Sequence, residues 1–279
     1  MAKKTFHRDV KRVKYLPKDE YSYALVTGAS SGMGKEYARK LYSYGYNLII
    51  VSRRQKDIDA VRDEFKTGKN SIISVALDLS EPSAADDLYV MFKDKKVDVL
   101  INNAGVLSYC DYLSSHVKDI EGTLILHNYT LVKLCRLFGP PMKERGYGFI
   151  LNISSLAAWM PYPGLAIYSA TKNFNKSFSR SLRIELIGSG VSVTTAYFGA
   201  VATNLFQLSQ KHKKLAIKLR IMISARKAAG KALNAMFNKK AEVMPGIINW
   251  IAIPIFLIQP NWALHFIDKK IGSKYKNKS

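Results

Sequence analysis

The chain has 279 residues, 48% of them hydrophobic, with 43 Lys and Arg against 21 Asp and Glu, a formal charge of +22 and two cysteines. That apolar share at this length can fill the core of one large domain, which excludes a disordered or collagen-like chain and a disulfide scaffold. Cys110 and Cys135 form no CxxC pair and no metal-ligand spacing, so the sequence predicts two ordinary thiols in a reducing, cytoplasmic setting and no metal site.

Residues 1–20 are basic and are followed by no apolar run or small-residue cleavage site, so they read as a solvated arm rather than a secretory signal. Short apolar runs then alternate with stretches long enough for a helix. The runs are Tyr23 to Gly28, Asn47 to Ser52, Ser71 to Leu77, Val97 to Asn102, Gly148 to Ser154 and Val191 to Phe198, with a short last strand expected at Glu242 to Met244. Near-continuous apolar strands alternating with helices predict an α/β fold, a single doubly wound domain over 21–246 with a parallel sheet covered on both faces.

The loop Thr27-Gly28-Ala29-Ser30-Ser31-Gly32-Met33-Gly34 leaves the first strand and opens a helix expected over Lys35 to about Ser43. Glycines there permit a sharp turn and let a pyrophosphate reach the helix N-terminus, whose free N–H groups and dipole favour anions. The second strand ends in Ser52-Arg53-Arg54, where an acidic residue would hold the ribose 2′-hydroxyl of NAD. An arginine pair suits a 2′-phosphate instead, so NADP, as NADPH, is the expected cofactor over NAD. Further along, Tyr168 and Lys172 stand four apart and share one face of a helix. An ammonium beside a phenol favours the phenolate, so the pair predicts a Tyr168 pKa drawn down toward neutrality, fit for proton transfer to a carbonyl oxygen.

The Gly-x-x-x-Gly-x-Gly spacing of residues 28–34 resembles the short-chain dehydrogenase/reductase family, and the resemblance recurs in order. It continues through Asn102-Asn103-Ala104-Gly105, Asn128, Asn152-Ile153-Ser154-Ser155 and Tyr168-Ser169-Ala170-Thr171-Lys172, covering residues 21 to about 204. The resemblance implies a Rossmann-type sheet of about seven strands in the order 3-2-1-4-5-6-7. It implies Asp78 and Leu79 beside the adenine, Asn103, Ala104 and Gly105 on the cofactor side, and Gly199 and Thr203 near the nicotinamide; Phe198 stands where the family usually has proline before that glycine. It also implies catalysis by Ser155 on the substrate oxygen, Tyr168 as acid, Lys172 on the cofactor ribose and Asn128 holding a water, with Ser154 the neighbouring alternative to Ser155. By the same resemblance the protein is a homo-oligomer, dimer or tetramer. Leu107, Ser155, Ala157, Trp159, Tyr162 and Phe198 are expected to shape an apolar substrate pocket.

The charge is uneven: residues 21–204 carry 21 basic and 16 acidic side chains, whereas 205–240 carry ten basic and none acidic. Residues 205–240 read as a basic helical lid, with an apolar pattern of Leu208, Leu215, Leu219, Met222, Ile223, Leu233, Met236 and Phe237. Such a lid suits an acidic carrier or coenzyme A ester, an anionic lipid surface, or a solvated face. The tail, 247–279, begins with an apolar stretch too short to span a bilayer and ends lysine-rich, which fits a subunit contact, a buried tail or peripheral membrane contact. The expected function is NADPH-dependent reduction of a carbonyl on an apolar substrate such as a 3-oxoacyl thioester or lipid ketone. The alternative is a nonenzymatic NADP-binding regulator with the same fold. Nucleic acid is not expected, since the basic segment holds few aromatics and no recognition motif.

Overall fold

A computed structural model describes residues 17–65, 69–107, 109–159, 162–202, 222–246, 253–254 and 258–271. Six strands fall where the apolar runs predict them: β1 (Tyr23–Thr27), β2 (Asn47–Ser52), β3 (Ile72–Ala76), β4 (Val97–Asn102), β5 (Gly148–Ser155) and β6 (Val191–Phe198). Two short strands, β7 (Val201–Ala202) and β8 (Ile223–Ser224), pair with each other, and β9 (Glu242–Val243) closes the main sheet. The seven-stranded sheet runs β3-β2-β1-β4-β5-β6-β9 with every pairing parallel. Its seventh member is the strand expected near Glu242, so the predicted order stands.

Period-two alternation in the strands builds two cores, one on each face. Ala24, Val26, Leu48, Ile50, Val99 and Ile101 pack with Tyr37 and Leu41 of α1 (Gly32–Ser43) and Ile58 and Val61 of α2 (Gln55–Asp63). On the opposite face Leu25, Ile49 and Leu100 pack with Leu88 of α3 (Ala84–Phe92) and Leu134 and Phe138 of α5 (Thr130–Glu144). Helix α4 (Val117–Leu124) runs directly into α5 through a π turn at Ile125–Tyr129, with αR backbone on both sides. Helix α6 (Ala166–Glu185) covers β5 and β6.

Two expectations need correction. The segment 205–240 is not a lid throughout: α7 (Ala225–Phe237) is a core helix on the α1 face, with Ala228, Ala229, Ala232, Leu233 and Met236 fully buried. Small alanines let it lie close against the sheet, and Phe237 packs its ring against Phe149 and Tyr46. Of the ten cations of this segment, Arg226, Lys227, Lys231, Lys239 and Lys240 are exposed on or just after α7, while 203–221, including Thr203, lie outside the described residues. Of the arm expected over 1–20, residues 1–16 lie outside the described residues, and residues 18–20 dock on the domain. Asp19 pairs with Lys96, the Lys18 ammonium lies 4.2 Å from the Tyr147 ring centroid, and the Asn47 amide donates to the Glu20 carbonyl.

Helix α8 (Asn261–Ile271) ends the described chain, and no described helix is long and apolar enough to cross a membrane. Ile258, Trp262 and Phe266 leave 80%, 75% and 58% of their surface exposed, so these three side chains are not a buried tail.

Candidate active site

The strand order reverses between β1 and β4, and at that switch the C-terminal ends of the strands open a crevice. A cavity of about 280 Å³ lies there. Its walls include Gly28, Ser30, Ser31, Gly32 and Met33 after β1; Ser52, Arg53 and Arg54 after β2; Asp78 and Leu79 after β3; and Asn103, Ala104 and Gly105 after β4. Leu77, Val106 and Leu126 complete it and were not singled out from the sequence, because nothing distinguishes them from core residues there.

The glycine loop is shaped by the protein's own backbone. Gly28 and Gly32 have φ of 65° and 55°, a region L side chains rarely adopt. Any Cβ at Gly34 would overlap the Gly28 carbonyl, so this glycine packs the helix start against the turn. Asn103, expected to face the cofactor, spends its amide on the loop, donating to the carbonyls of Thr27 (2.9 Å) and Gly28 (3.3 Å). The Thr27 hydroxyl accepts from the amides of Asn103 and Ala104 at 2.9 and 3.0 Å and donates to Ile101, locking the ends of β1 and β4 together.

A dinucleotide fits these walls on two observations. Ser31 precedes α1 with extended backbone and its side chain accepts no hydrogen bond from the first turn, so that turn's amides stay open to a phosphate. The rim that would take the adenine ribose is basic: Ser52 donates to Ser30 at 2.8 Å, and Arg53 and Arg54 stand beside them. Arg54 is engaged by Asp57, whereas Arg53 exerts its charge on Asp78. Burial works to raise the Asp78 carboxyl, yet hydrogen bonds from the Ser80 hydroxyl and amide, aided by Arg53, hold it below the usual carboxylate range.

Beside this cavity β5 and α6 bring together Ser155, Tyr168 and Lys172. The Ser155 hydroxyl lies close enough to Tyr168 to favour its phenolate, accepts from the Ala157 amide at 3.2 Å and donates to the Phe198 carbonyl at 3.4 Å. Ser154 is buried and donates to the Lys172 carbonyl at 2.9 Å, so its hydroxyl is used within the fold and only Ser155 meets the tyrosine. The Lys172 ammonium lies 5.6 Å from the Tyr168 ring centroid and donates to the Ile153 carbonyl at 3.3 Å. A Cβ at Gly105 would stand 3.7 Å from that ammonium, so the glycine joins the cavity to the lysine.

The electrostatics differ from the expected depression of Tyr168. Burial raises the phenol above 10, and the nearby Ser155 hydroxyl only partly offsets it. Burial also pulls Lys172 down to about 8. The desolvation that penalises phenolate and ammonium alike outweighs their mutual attraction across 5.6 Å.

Asn128 lies in the π turn and donates to the Thr171 carbonyl at 3.0 Å and the Asn175 side chain at 3.2 Å, which fastens it to α6 one residue before Lys172. His127 beside it is 1% exposed and went unnoticed in the sequence, where a single histidine in a helix carries no motif. Burial and the Lys172 charge hold this imidazole well below 6.5.

Of the expected substrate pocket, Leu107 and Tyr162 are half-buried, Ala157 is buried, and Trp159 packs on Tyr197 at 4.5 Å with the Lys176 ammonium 4.6 Å from its ring. Phe198 departs from the expectation: its side chain belongs to the core on the α1 face, so it contributes its carbonyl rather than its ring near Ser155. Gly199 follows β6 and is half-buried. Among the described residues no group of acids, histidines and cysteines has metal-binding geometry.

A model of the family described as short chain dehydrogenase matches residues 22–214. The very-long-chain 3-oxoacyl-CoA reductase-A of Danio rerio is 34% identical over 192 residues, 67% of this chain and 60% of that protein, so the match spans less than two thirds of that relative. The NADP-dependent 3-hydroxy acid dehydrogenase YdfG of Salmonella typhi is 35% identical over 185 residues, covering 65% of this chain and 73% of that one. A short-chain dehydrogenase from Sphingobium yanoikuyae, solved in complex with NADPH, shares the fold with a TM-score of 0.73 at 24% identity, over 92% of this chain and 98% of that chain.

Proposed function

Because the chain belongs to the short-chain dehydrogenase family, we propose that it is an NADPH-dependent oxidoreductase that reduces the carbonyl of an apolar substrate, with a 3-oxoacyl thioester or a lipid ketone as the substrate class. The observation that carries this reading is the convergence of Ser155, Tyr168 and the buried Lys172 where β5 meets α6, with Gly105 linking that group to the cavity. NADP-named relatives and the basic Ser52-Arg53-Arg54 rim support NADPH. The 3-oxoacyl-CoA reductase relatives support an acyl thioester, and the exposed Arg226, Lys227 and Lys231 would suit its anionic carrier.

The open amides of α1 and the Gly28–Gly34 turn would hold the pyrophosphate, Arg53 the 2′-phosphate, and Lys172 the nicotinamide ribose. When bound, NADPH supplies a hydride to the carbonyl carbon. Ser155 donates a hydrogen bond to the carbonyl oxygen and Tyr168 gives up its proton to that oxygen. The raised Tyr168 pKa keeps the phenol protonated before the reaction, which is the form an acid needs. The phenolate left behind faces the Lys172 ammonium, largely protonated at pH 7 with its value near 8. Asn128 keeps the first turns of α6 in place through the Thr171 carbonyl.

NADPH oxidation measured across ketones and 3-oxoacyl thioesters tests the reading. Tyr168→Phe is expected to abolish turnover and leave NADPH affinity nearly intact. A Phe variant that turns over normally would remove Tyr168 as the acid, and a wild-type protein that binds NADPH but reduces no carbonyl would favour the regulatory alternative.

A second reading concerns the tail. Ile258, Trp262 and Phe266 recur every four residues, all exposed, and five lysines against one aspartate follow residue 258. That pairing of aromatic bulk and positive charge supports peripheral contact with an anionic membrane. Sedimentation with anionic vesicles at low salt is expected to carry the protein down and Trp262→Ser/Phe266→Ser to release it; no sedimentation of wild type refutes this.

A further inference from the structure

We infer that His127 is a positioning residue that ties the loop on the cavity wall, Gly105–Val106, to the helix that carries Tyr168 and Lys172. The inference rests on the reductase reading above. The Val106 amide donates to His127 Nε2 at 3.0 Å, which leaves the proton of a neutral ring on Nδ1. Nδ1 lies 3.0 Å from the Thr171 hydroxyl and donates to it, and that hydroxyl donates to the Tyr168 carbonyl at 2.8 Å. Three hydrogen bonds in series thus join the end of β4 to the first turns of α6.

The ring also stands at the point where the two halves of the site meet. A Cβ on Gly105 would come within 3.1 Å of Nε2 and 3.7 Å of the Lys172 ammonium, so imidazole and ammonium flank one glycine. The Tyr168 ring meets the imidazole edge-on at a centroid distance of 5.9 Å. Among the described residues the ionisable groups facing His127 are Lys172 and Tyr168, both on α6, and residues 103–107 of the facing loop bring none. A protonated ring would lose the Val106 bond and set a second cation next to Lys172; the neutral ring keeps the loop in place and adds no charge beside the phenol.

The tie makes separate predictions for the two ends of the chain of bonds. His127→Phe fills the ring's volume without accepting from Val106, and is expected to lower kcat about tenfold or more. It should also move the pH at which reductive kcat falls, with NADPH affinity, read by nicotinamide fluorescence, changed less than about threefold. His127→Gln offers an accepting oxygen and should keep kcat within about threefold of wild type. Thr171→Val cuts the far end, and the double variant His127→Phe/Thr171→Val should be no worse than His127→Phe alone. In the protein without ligand, 15N spectra should show one imidazole, absent in His127→Gln, with Nδ1 protonated and Nε2 unprotonated from about pH 5 to about pH 8.

Wild-type kcat and pH profile in His127→Phe, additive losses in the double variant, or a His127 ring that gains a second proton between about pH 5 and about pH 8 would each overturn the inference. Equal losses of kcat and melting temperature in the Phe and Gln variants would reduce His127 to core packing and overturn it as well. If His127→Phe does not fold, Thr171→Val and His127→Gln decide by the same profile. Wild type that reduces no carbonyl would sink the reductase reading alone, and the imidazole spectrum would still judge the tie.

Discussion

Lys172 is the side chain whose stability and activity pull hardest against each other. It is 6% exposed, and its ammonium is drawn from the ordinary 10.5 down to about 8 by burial. At about 1.4 kcal/mol per unit, holding that charge in the folded protein costs about 3 kcal/mol at pH 7. Lys172→Met removes the charge but also the bond to the Ile153 carbonyl, worth about 1 kcal/mol. The net expectation is a variant about 2 kcal/mol more stable than wild type in the absence of cofactor, melting roughly 4–8 °C higher, and inactive. The pH dependence supplies the sharper check. Between the folded value near 8 and the unfolded value near 10.5 the unfolded chain holds more protons at this site, so wild-type stability gains on the variant as pH rises. The gap should be full at pH 7 and close by about pH 10.5. Urea unfolding at a series of pH values measures it; a variant no more stable at pH 7, or a gap indifferent to pH, would refute the desolvation argument.

The two adjacent serines should separate cleanly. Ser155→Ala is expected to lower kcat about 100-fold or more with NADPH binding retained, whereas Ser154→Ala should keep most activity and lose about 1 kcal/mol of stability with its bond to the Lys172 carbonyl. Arg53→Ala should weaken NADPH binding about 10- to 100-fold with little effect on NADH, and Arg54→Ala should do less because Asp57 engages that guanidinium; equal effects on both cofactors would refute a 2′-phosphate role. Gly34→Ala should abolish cofactor binding and lower the melting temperature, since its Cβ overlaps the backbone at Gly28; a soluble variant with normal NADPH affinity would show that the loop can open.

Much of the fold was legible because strands buried on both faces must be nearly continuous in apolar residues, as Tyr23–Val26 of β1 and Leu48–Val51 of β2 are. The glycine loop and the Tyr168–Lys172 spacing were legible for a similar reason: backbone shape and one helix face constrain which residue stands where. Long-range packing was not. The apolar pattern of 222–237 looked like an amphipathic lid because Leu, Met and Phe were weighed and alanine was not, yet Ala228, Ala229 and Ala232 are what bury α7 in the domain. The helical spacing put Lys172 beside Tyr168 correctly, but the sign of the phenol's shift depended on burial that spacing does not report. His127 carried no local signal at all. Its partners, Val106 and Thr171, lie 21 and 44 residues away.

The π turn at Ile125–Tyr129 sharpens this last point. Neighbours in a regular helix point about 100° apart, yet here His127 reaches the Thr171 hydroxyl while Asn128 reaches the Thr171 carbonyl. Removing one residue from the turn would straighten the helix and rotate one of the pair away from α6. A surface loop can gain or lose a residue and leave the site in register, whereas one residue fewer within Ile125–Tyr129 would part His127 or Asn128 from its bond to Thr171.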